Sequence, residues 1–534
     1  MAVRDAGTMA ARERTSLNAR TLGELKKTGY RSRSVKDELR ENLIARLRKG
    51  EDAFPGIHGY RHTVIPMLHN AILARHDIIL LGLRGQAKTR LLRSLVALLD
   101  ERLPAIAGSE VNEDPFLPIT AYGRRLVAEK GDDTPIAWIP RAERYREKLA
   151  TPDVTIADLI GDIDPIKAAT QKRTYSDEEI IHFGIIPRTN RGIFAVNELP
   201  DLQPRIQVGL LNILQERDLQ IRGFPVRIPL DILLVFSANP EDYTNRGNII
   251  TPLKDRISSQ ILTHYPDDVK TARKITDQEA WVDRPGAVET DVPEYFKELV
   301  EKIAFAARAS EFVDQSSGVS ARMPISALEV LYSNLERRGI LQGEAKVFPR
   351  LCDLLACLPA ITGKVEVVYE GEQQGTEVIA KKLISGPVAD LFNAKFPPVD
   401  SGRRTERPRS PAAEDADEPS PRSRQRFAAA EEPEKANPVY REIVEWFAAG
   451  NSVDISDESA FPSHYQALDA VPGLRRVAEE YFKPSSREET ALAMELVLEG
   501  LTQHLKIARE DLDSKISYKE MLKFNLVRQR TPVN

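Results

Sequence analysis

The chain is short of cysteine, with 2 in 534 residues, and of aromatic residues, which make up 6% of it. Cys352 and Cys357 have no second pair to complete a zinc set and offer no disulfide framework. That excludes a small disulfide-stapled fold, and their neighbours Leu351, Leu354 and Leu355 make them small core fillers. No apolar run approaches the ~18–20 residues that a membrane-spanning helix needs. The opening MAVRDAGTMAARERTSLNAR is basic, but no apolar segment follows it, and Asp5 and Glu13 do not suit an organellar transit peptide. The expectation is a cytoplasmic protein with no membrane association. A net charge of -5 also lacks the footprint of a general nucleic-acid binder.

What is present divides the chain. Residues 1–50 carry 13 Lys/Arg against 6 Asp/Glu, and 1–35 read as a basic, disordered arm. Short β-branched runs, IILLG from Ile78, GIFAVNE from Gly192 and DILLVFSAN from Asp231, alternate with helical stretches across 36–266. Buried strands of a mainly parallel sheet read this way, giving an α/β core. From 267 to 400 helices dominate as a lid, closed by an expected β-hairpin in KVEVVYEGEQQGTEVIAKKLI. Ser401 to Pro438 contains no Val, Ile or Leu and one aromatic, Phe427, so it cannot bury enough apolar area to offset its ordering entropy. It reads as a disordered linker. Beyond it, 439–534 reads as a separate small helical domain, with Leu492, Leu496, Val497, Leu501 and Leu505 at helical spacing behind a capping box at Ser486 and Glu489.

The sharpest chemical signal is Gly82-Leu-Arg-Gly85-Gln86-Ala87-Lys88-Thr89, entered from a strand and continued by the helix-like RLLRSLVALLD. In a phosphate-binding loop, backbone N–H groups converge on phosphate oxygens, the lysine bridges the β- and γ-phosphates and the hydroxyl ligates Mg²⁺. The usual pattern has glycine where Ala87 stands. Some 110 residues on, GIFAVNE ends in Asn197 and Glu198 where the chain leaves the sheet. Ligands of open α/β sheets bind beyond the carboxyl ends of strands, so Glu198 is a candidate to polarise an attacking water. DILLVFSANP delivers Asn239 to the same edge. His58 and His62 have i, i+4 spacing, but they stand among turn residues without the glutamate of H-E-x-x-H, and they read as structural. Arg188 and Arg191 in PRTNRG read equally as residues reaching a neighbouring subunit's phosphates or as solvated loop residues.

From about Pro55 to Ile340 this order of parts resembles the AAA+ ATPases, in particular the MoxR and magnesium-chelatase ATPase-subunit branch. The likeness rests on GLRGQAKT, LIGDIDPIKAA, GIIPRTNRGIFAVNELPDL, the hairpin-like ERDLQIRGFPVRIPL before VFSANPED, TPLKDRI and GVSARMPISAL. By that resemblance GLRGQAKT is Walker A, VNE is Walker B, Asn239 is sensor 1, Arg256 is an arginine finger and Arg322 is sensor 2. Thr89 and Asn197 are the implied metal residues and ATP with Mg²⁺ the implied cofactors. The family implies rings, often hexamers, that hydrolyse ATP between subunits and commonly work with a von Willebrand A-domain protein. One departure stands out: Walker B normally presents Asp-Glu, and an amide at Asn197 brings no negative charge to Mg²⁺. A nucleotide-binding scaffold with little turnover is therefore the alternative. An activator of the alternative sigma factor is a weaker one, since TQKRTYSDEEIIHFGIIP lacks the GAFTGA loop.

Overall fold

The computed structural model describes residues 19–164, 178–220, 227–239, 248–286, 288–400, 437–512 and 515–521. The chain forms two compact units, residues 1–271 with 316–320, and 272–315 with 321–534.

In the first unit the apolar runs become strands β1 (Ile78–Leu81), β2 (Tyr145–Leu149), β3 (Gly192–Asn197), β4 (Ile232–Ala238) and β5 (Ser259–Leu262). All pair in parallel, in the order β5-β1-β4-β3-β2. The central runs are continuously apolar because both sheet faces are buried. Along β3, Ile193 and Ala195 join a core with Leu68, Leu91 and Leu95, while Phe194 and Val196 join another with Ile206, Leu210 and Ile213. Helices Val35–Lys49, Val64–Leu73 and Lys88–Ser94 supply the first core, and Pro204–Gln215 supplies the second. The α/β fold class expected from the sequence is thus the one observed.

A buried ion pair ties the first helix to the sheet. Arg144 is fully buried and donates from Nη1 to Glu38 Oε1 at 2.8 Å and from Nε to the Arg191 carbonyl at 2.9 Å. Three antiparallel pairs accompany the sheet, Arg102–Ile106 with Ile136–Pro140, Gly161–Ile163 with Ile181–Phe183, and Asp218–Gln220 with Arg227–Pro229. The last stands where the sequence places a hairpin before β4; residues 165–177 and 221–226 lie outside the described residues.

Five sequence expectations are corrected or narrowed. The arm expected over 1–35 is built from Ala19 onward: Leu22–Lys27 is a helix capped by the Thr21 side chain, Leu22 N–H donates to the Thr134 carbonyl at 2.9 Å, and Leu25 is fully buried. Residues 1–18 lie outside the described residues. The hairpin expected over 364–384 is instead the helices Tyr369–Gln374 and Thr376–Lys395. The C-terminal segment is not purely helical, because Val453–Ile455, Lys515–Lys519 and Ala508–Leu512 make an antiparallel sheet. Nor is it separate: it shares the second unit with the lid, and a side chain at Gly500 would overlap the Phe392 ring. Of the linker expected over 401–438, residues 401–436 lie outside the described residues, while Asn437 N–H donates to the Val399 carbonyl at 2.8 Å and Pro438 begins a helical turn.

The second unit is knit by buried charges. Arg338 pairs with Asp353, both almost fully buried, and Asp353 also accepts from Asn334 Nδ2 at 2.9 Å and from Arg350 N–H at 2.7 Å. Cys352 and Cys357 are buried, as core fillers should be; Cys357 Sγ donates to the Ala327 carbonyl at 3.3 Å, and burial pushes its pKa up to about 12. Among the described residues no helix is long and apolar enough to cross a membrane.

Candidate functional site

The register brings three strand ends side by side. Leu81 of β1 pairs with Ala238 of β4, and Phe236 of β4 pairs with Val196 of β3. The chain therefore leaves β1 at Gly82, β3 at Asn197–Glu198 and β4 at Asn239 along one carboxyl edge, where ligands of open parallel sheets bind.

The loop after β1 is tightly constrained. A Cβ on Gly82 would collide with the Thr263 hydroxyl and the Gln86 amide oxygen, so only glycine fits there. Thr263 Oγ1 donates to Gln86 Oε1 at 2.8 Å, and the buried Tyr60 hydroxyl lies 2.8 Å from the carbonyls of both Gln86 and His264. Burial raises the Tyr60 pKa, keeping the hydroxyl protonated as a donor. Lys88 is only 7% exposed, and its ammonium donates to the Gly82 carbonyl and, at 3.0 Å, to that of Leu83. The cation is thus folded into its own loop, with two carbonyls of that loop among its partners. Ala87, where glycine is usual, takes φ 56° and ψ 17°. The loop accepts a left-handed residue with a methyl group at a cost of about 1–2 kcal/mol. Thr89 is half-buried at the start of the following helix.

At β3 the polar residues are organised by Ser237, which is fully buried in β4. Its hydroxyl lies 3.3 Å from Asn197 Oδ1, to which it donates, and accepts from Glu198 N–H at 3.3 Å. Glu198 also has a left-handed backbone, φ 56° and ψ 53°, and its carboxylate is half-buried. A strained residue at a strand end, held by neighbours on two strands, is the kind of outlier that clusters at functional sites. Asn239 is half-buried immediately after β4.

Other candidates fall elsewhere. Arg256 ends helix Thr251–Arg256, just before β5, whose first residue Ser259 pairs with Ile78. It lies at the amino edge of the sheet, opposite Gly82, and four residues of β1 at ~3.3 Å each separate the two edges. Its Nε donates to Gln215 Oε1 at 2.9 Å and its Nη1 to the Pro252 carbonyl at 2.9 Å; Asp255 is not its partner. Arg322 is exposed at the start of helix Arg322–Gln342 in the second unit. Arg191 is only 4% exposed and donates from Nη1 to the Pro104 carbonyl at 2.7 Å, which removes it as a residue reaching a neighbour. Arg188 Nη2 lies 3.3 Å from Glu110. His62 is exposed and His58 half-buried, and no group of three or more metal-ligating side chains occurs among the described residues.

The sequence did not single out Tyr60, Thr263 or Ser237, and of the segment 316–320 it marked only Gly318–Ser320, as the start of GVSARMPISAL, without a role. That segment returns to the first unit and covers the loop: Arg84 Nε donates to the Ser317 carbonyl at 3.1 Å, and Gly318, at φ +67°, lies so close to Leu83 and Tyr265 that a Cβ would clash with both. Tyr60 stands in PGIHGYRH, Ser237 in VFSANPED and Gly318–Ser320 in GVSARMPISAL, whereas Thr263 lies in no such motif.

No protein-family model matches the chain. Among solved structures it resembles NtrX from Brucella abortus (14% identity, TM-score 0.31, 59% of this chain and 56% of that one). It also resembles a chain of the complex between the BchI and BchD subunits of magnesium chelatase (18%, 0.31, 60% and 98%) and Hsp104 (12%, 0.35, 62% and 52%). The chain spans about half the length of NtrX and of Hsp104. At these scores the likenesses carry no functional weight.

Proposed function

We propose that the chain is an ATP-hydrolysing AAA+ ATPase, similar to the MoxR and magnesium-chelatase branch, that assembles into a ring, with a hexamer as the expected form, and acts on a partner protein carrying a von Willebrand A domain. The observation that carries this reading is the convergence of Gly82–Thr89, Asn197–Glu198 and Asn239 on one edge of a parallel sheet ordered β5-β1-β4-β3-β2. The loop suits a triphosphate: Lys88 places a buried cation inside it, and charged phosphate oxygens are stronger acceptors than the loop carbonyls it donates to. Glu198 takes the proton of the attacking water and Asn239 orients that water. Arg256, remote from its own loop, supplies charge to the phosphate site of a neighbouring subunit. Arg322 is assigned the sensor-2 role by the resemblance alone.

Thr89 and Asn197 offer oxygen donors of the type Mg²⁺ takes. Bound there, the ion would neutralise phosphate charge. Asn197 contributes no charge of its own, and its Oδ1 already accepts from Ser237. That observation favours one second reading, a nucleotide-binding scaffold with slow turnover.

Steady-state phosphate release separates the two. The ATPase reading expects turnover with Mg²⁺ and ATP that Lys88→Ala abolishes, and equal or faster turnover in Asn197→Asp. Tight ATP binding with no release in either wild type or Asn197→Asp would establish the scaffold.

A further inference from the structure

The second unit contains a cleft of about 330 Å³, within the range of small-molecule sites. It lies between the segment 344–350, the start of helix Phe461–Asp469 and the first turns of helix Arg487–Gln503. Phe348, Phe461 and Pro462 give it an apolar wall; Arg338, Arg350 and His464, exposed by 1%, 4% and 2%, give it a buried polar one.

The polar wall is incompletely satisfied. Arg338 spends Nη1 on Asp353 and donates from Nη2 to the Phe348 carbonyl at 2.7 Å, but its buried Nε has no hydrogen-bond partner. His464 Nε2 lies 2.7 Å from Glu495 Oε1 without hydrogen-bond alignment, and His464 Nδ1 has no partner. Arg350 is bound by neutral groups, the Ser456 carbonyl at 2.9 Å and the Ser459 hydroxyl at 3.1 Å. Burial, and then the Arg338 guanidinium beside it, lowers the Arg350 pKa.

The nearby carboxylates are largely engaged, although the buried Glu495 Oε1 beside His464 has no hydrogen-bond partner. Asp353 serves Arg338, Glu495 accepts from Leu351 N–H at 2.7 Å, and Glu344 accepts from Phe461 N–H at 2.7 Å; Glu488 is half-buried at the cleft. Lys346 faces Glu289 and Asp291 at 3.1 and 2.9 Å. A buried guanidinium without a carboxylate, next to other unsatisfied polar atoms and an aromatic wall, is costly unless something completes it.

We propose that this cleft binds a small molecule bearing one carboxylate on an apolar body, with the carboxylate taken by Arg350 and the body laid against Phe348 and Phe461. The inference is independent of the nucleotide site. The test is calorimetry on the full chain with phenylacetate, its uncharged amide phenylacetamide, and inorganic phosphate. Phenylacetate should bind with a dissociation constant on the order of 1 mM or tighter. The amide, having lost the charge-assisted bonds, should bind about tenfold or more weakly, and phosphate should bind more weakly than phenylacetate. Arg350→Gln should weaken phenylacetate binding about tenfold or more, while Lys88→Ala leaves it unchanged. Should Arg350→Gln fail to fold, hydrogen exchange on the wild type decides: phenylacetate should protect amides within 344–350 and 461–464. Absence of phenylacetate binding, equal binding of acid and amide, phosphate binding as tightly as phenylacetate, or protection confined to other segments would each overturn the proposal.

Discussion

The phosphate-loop edge of the first unit and the Arg338 cluster of the second bury charge in opposite ways. In the first, Lys88 is buried and donates to carbonyls of its own loop, and Glu198 stands on a left-handed backbone at the carboxyl edge of the sheet. In the second, Arg338 is locked to Asp353, and Glu499 accepts from the Tyr518 hydroxyl at 2.6 Å beside Arg509. One arrangement keeps charge available for chemistry, while the other spends it on fixing helices. Mutations at Lys88 and Glu198 should therefore remove activity with little loss of stability, and mutations at Asp353 the reverse.

The largest expected effect tests whether an arginine remote from its own loop works in trans. A guanidinium supplied across an interface contributes ~10³–10⁵ in rate and little to ground-state binding. Arg256→Ala should accordingly bind ATP normally and hydrolyse it poorly. Mixing Arg256→Ala with Lys88→Ala subunits should recover part of the phosphate release; no recovery despite proven co-assembly would break this side of the contrast. Next comes Asp353→Ala, which strands Arg338 in the core and should cost about 3–5 kcal/mol in denaturant unfolding. Its ATPase rate below the unfolding transition should match the wild type. A stable variant with lost activity would place the second unit in the chemistry.

The smallest effect sharpens the comparison at a single methyl. Ala87 sits at φ 56°, where glycine has no steric penalty. Ala87→Gly removes about 1–2 kcal/mol of strain but adds unfolded-chain entropy worth about 0.4–1 kcal/mol, so stability should rise by roughly 1 kcal/mol or less. Thermal unfolding reads this directly; a clear fall would mean that the Ala87 methyl makes contacts that outweigh its backbone strain.

These contrasts also explain what the sequence made legible. β1, β3 and β4 stood out because strands buried on both faces must be continuously apolar, and the residues at their ends are polar because the chain there meets an open edge. The segment 364–384 misled because Val365, Val367, Val368, Val378 and Ile379 favour strands locally. Tertiary burial won: Ile379, Leu383, Ile384, Pro387, Val388, Leu391 and Phe392 are buried along one helix that runs past the stretch considered. The strands at 508–512 and 515–519 were hidden by charge, since Arg509, Asp511, Lys515 and Lys519 leave few apolar residues to alternate. Ser237 and Thr263 were invisible for another reason. Each acts across strands, on residues about 40 and 177 positions away in sequence, and no local pattern encodes such a pairing.

The central claim is that Glu198 performs chemistry on a nucleotide held by the loop after β1. The most direct measurement pairs ATP affinity with steady-state phosphate release in Glu198→Gln, a variant that keeps shape and removes the proton acceptor. The account predicts wild-type affinity and a fall in turnover of ~10²–10⁴. Turnover equal to the wild type at unchanged affinity would contradict it.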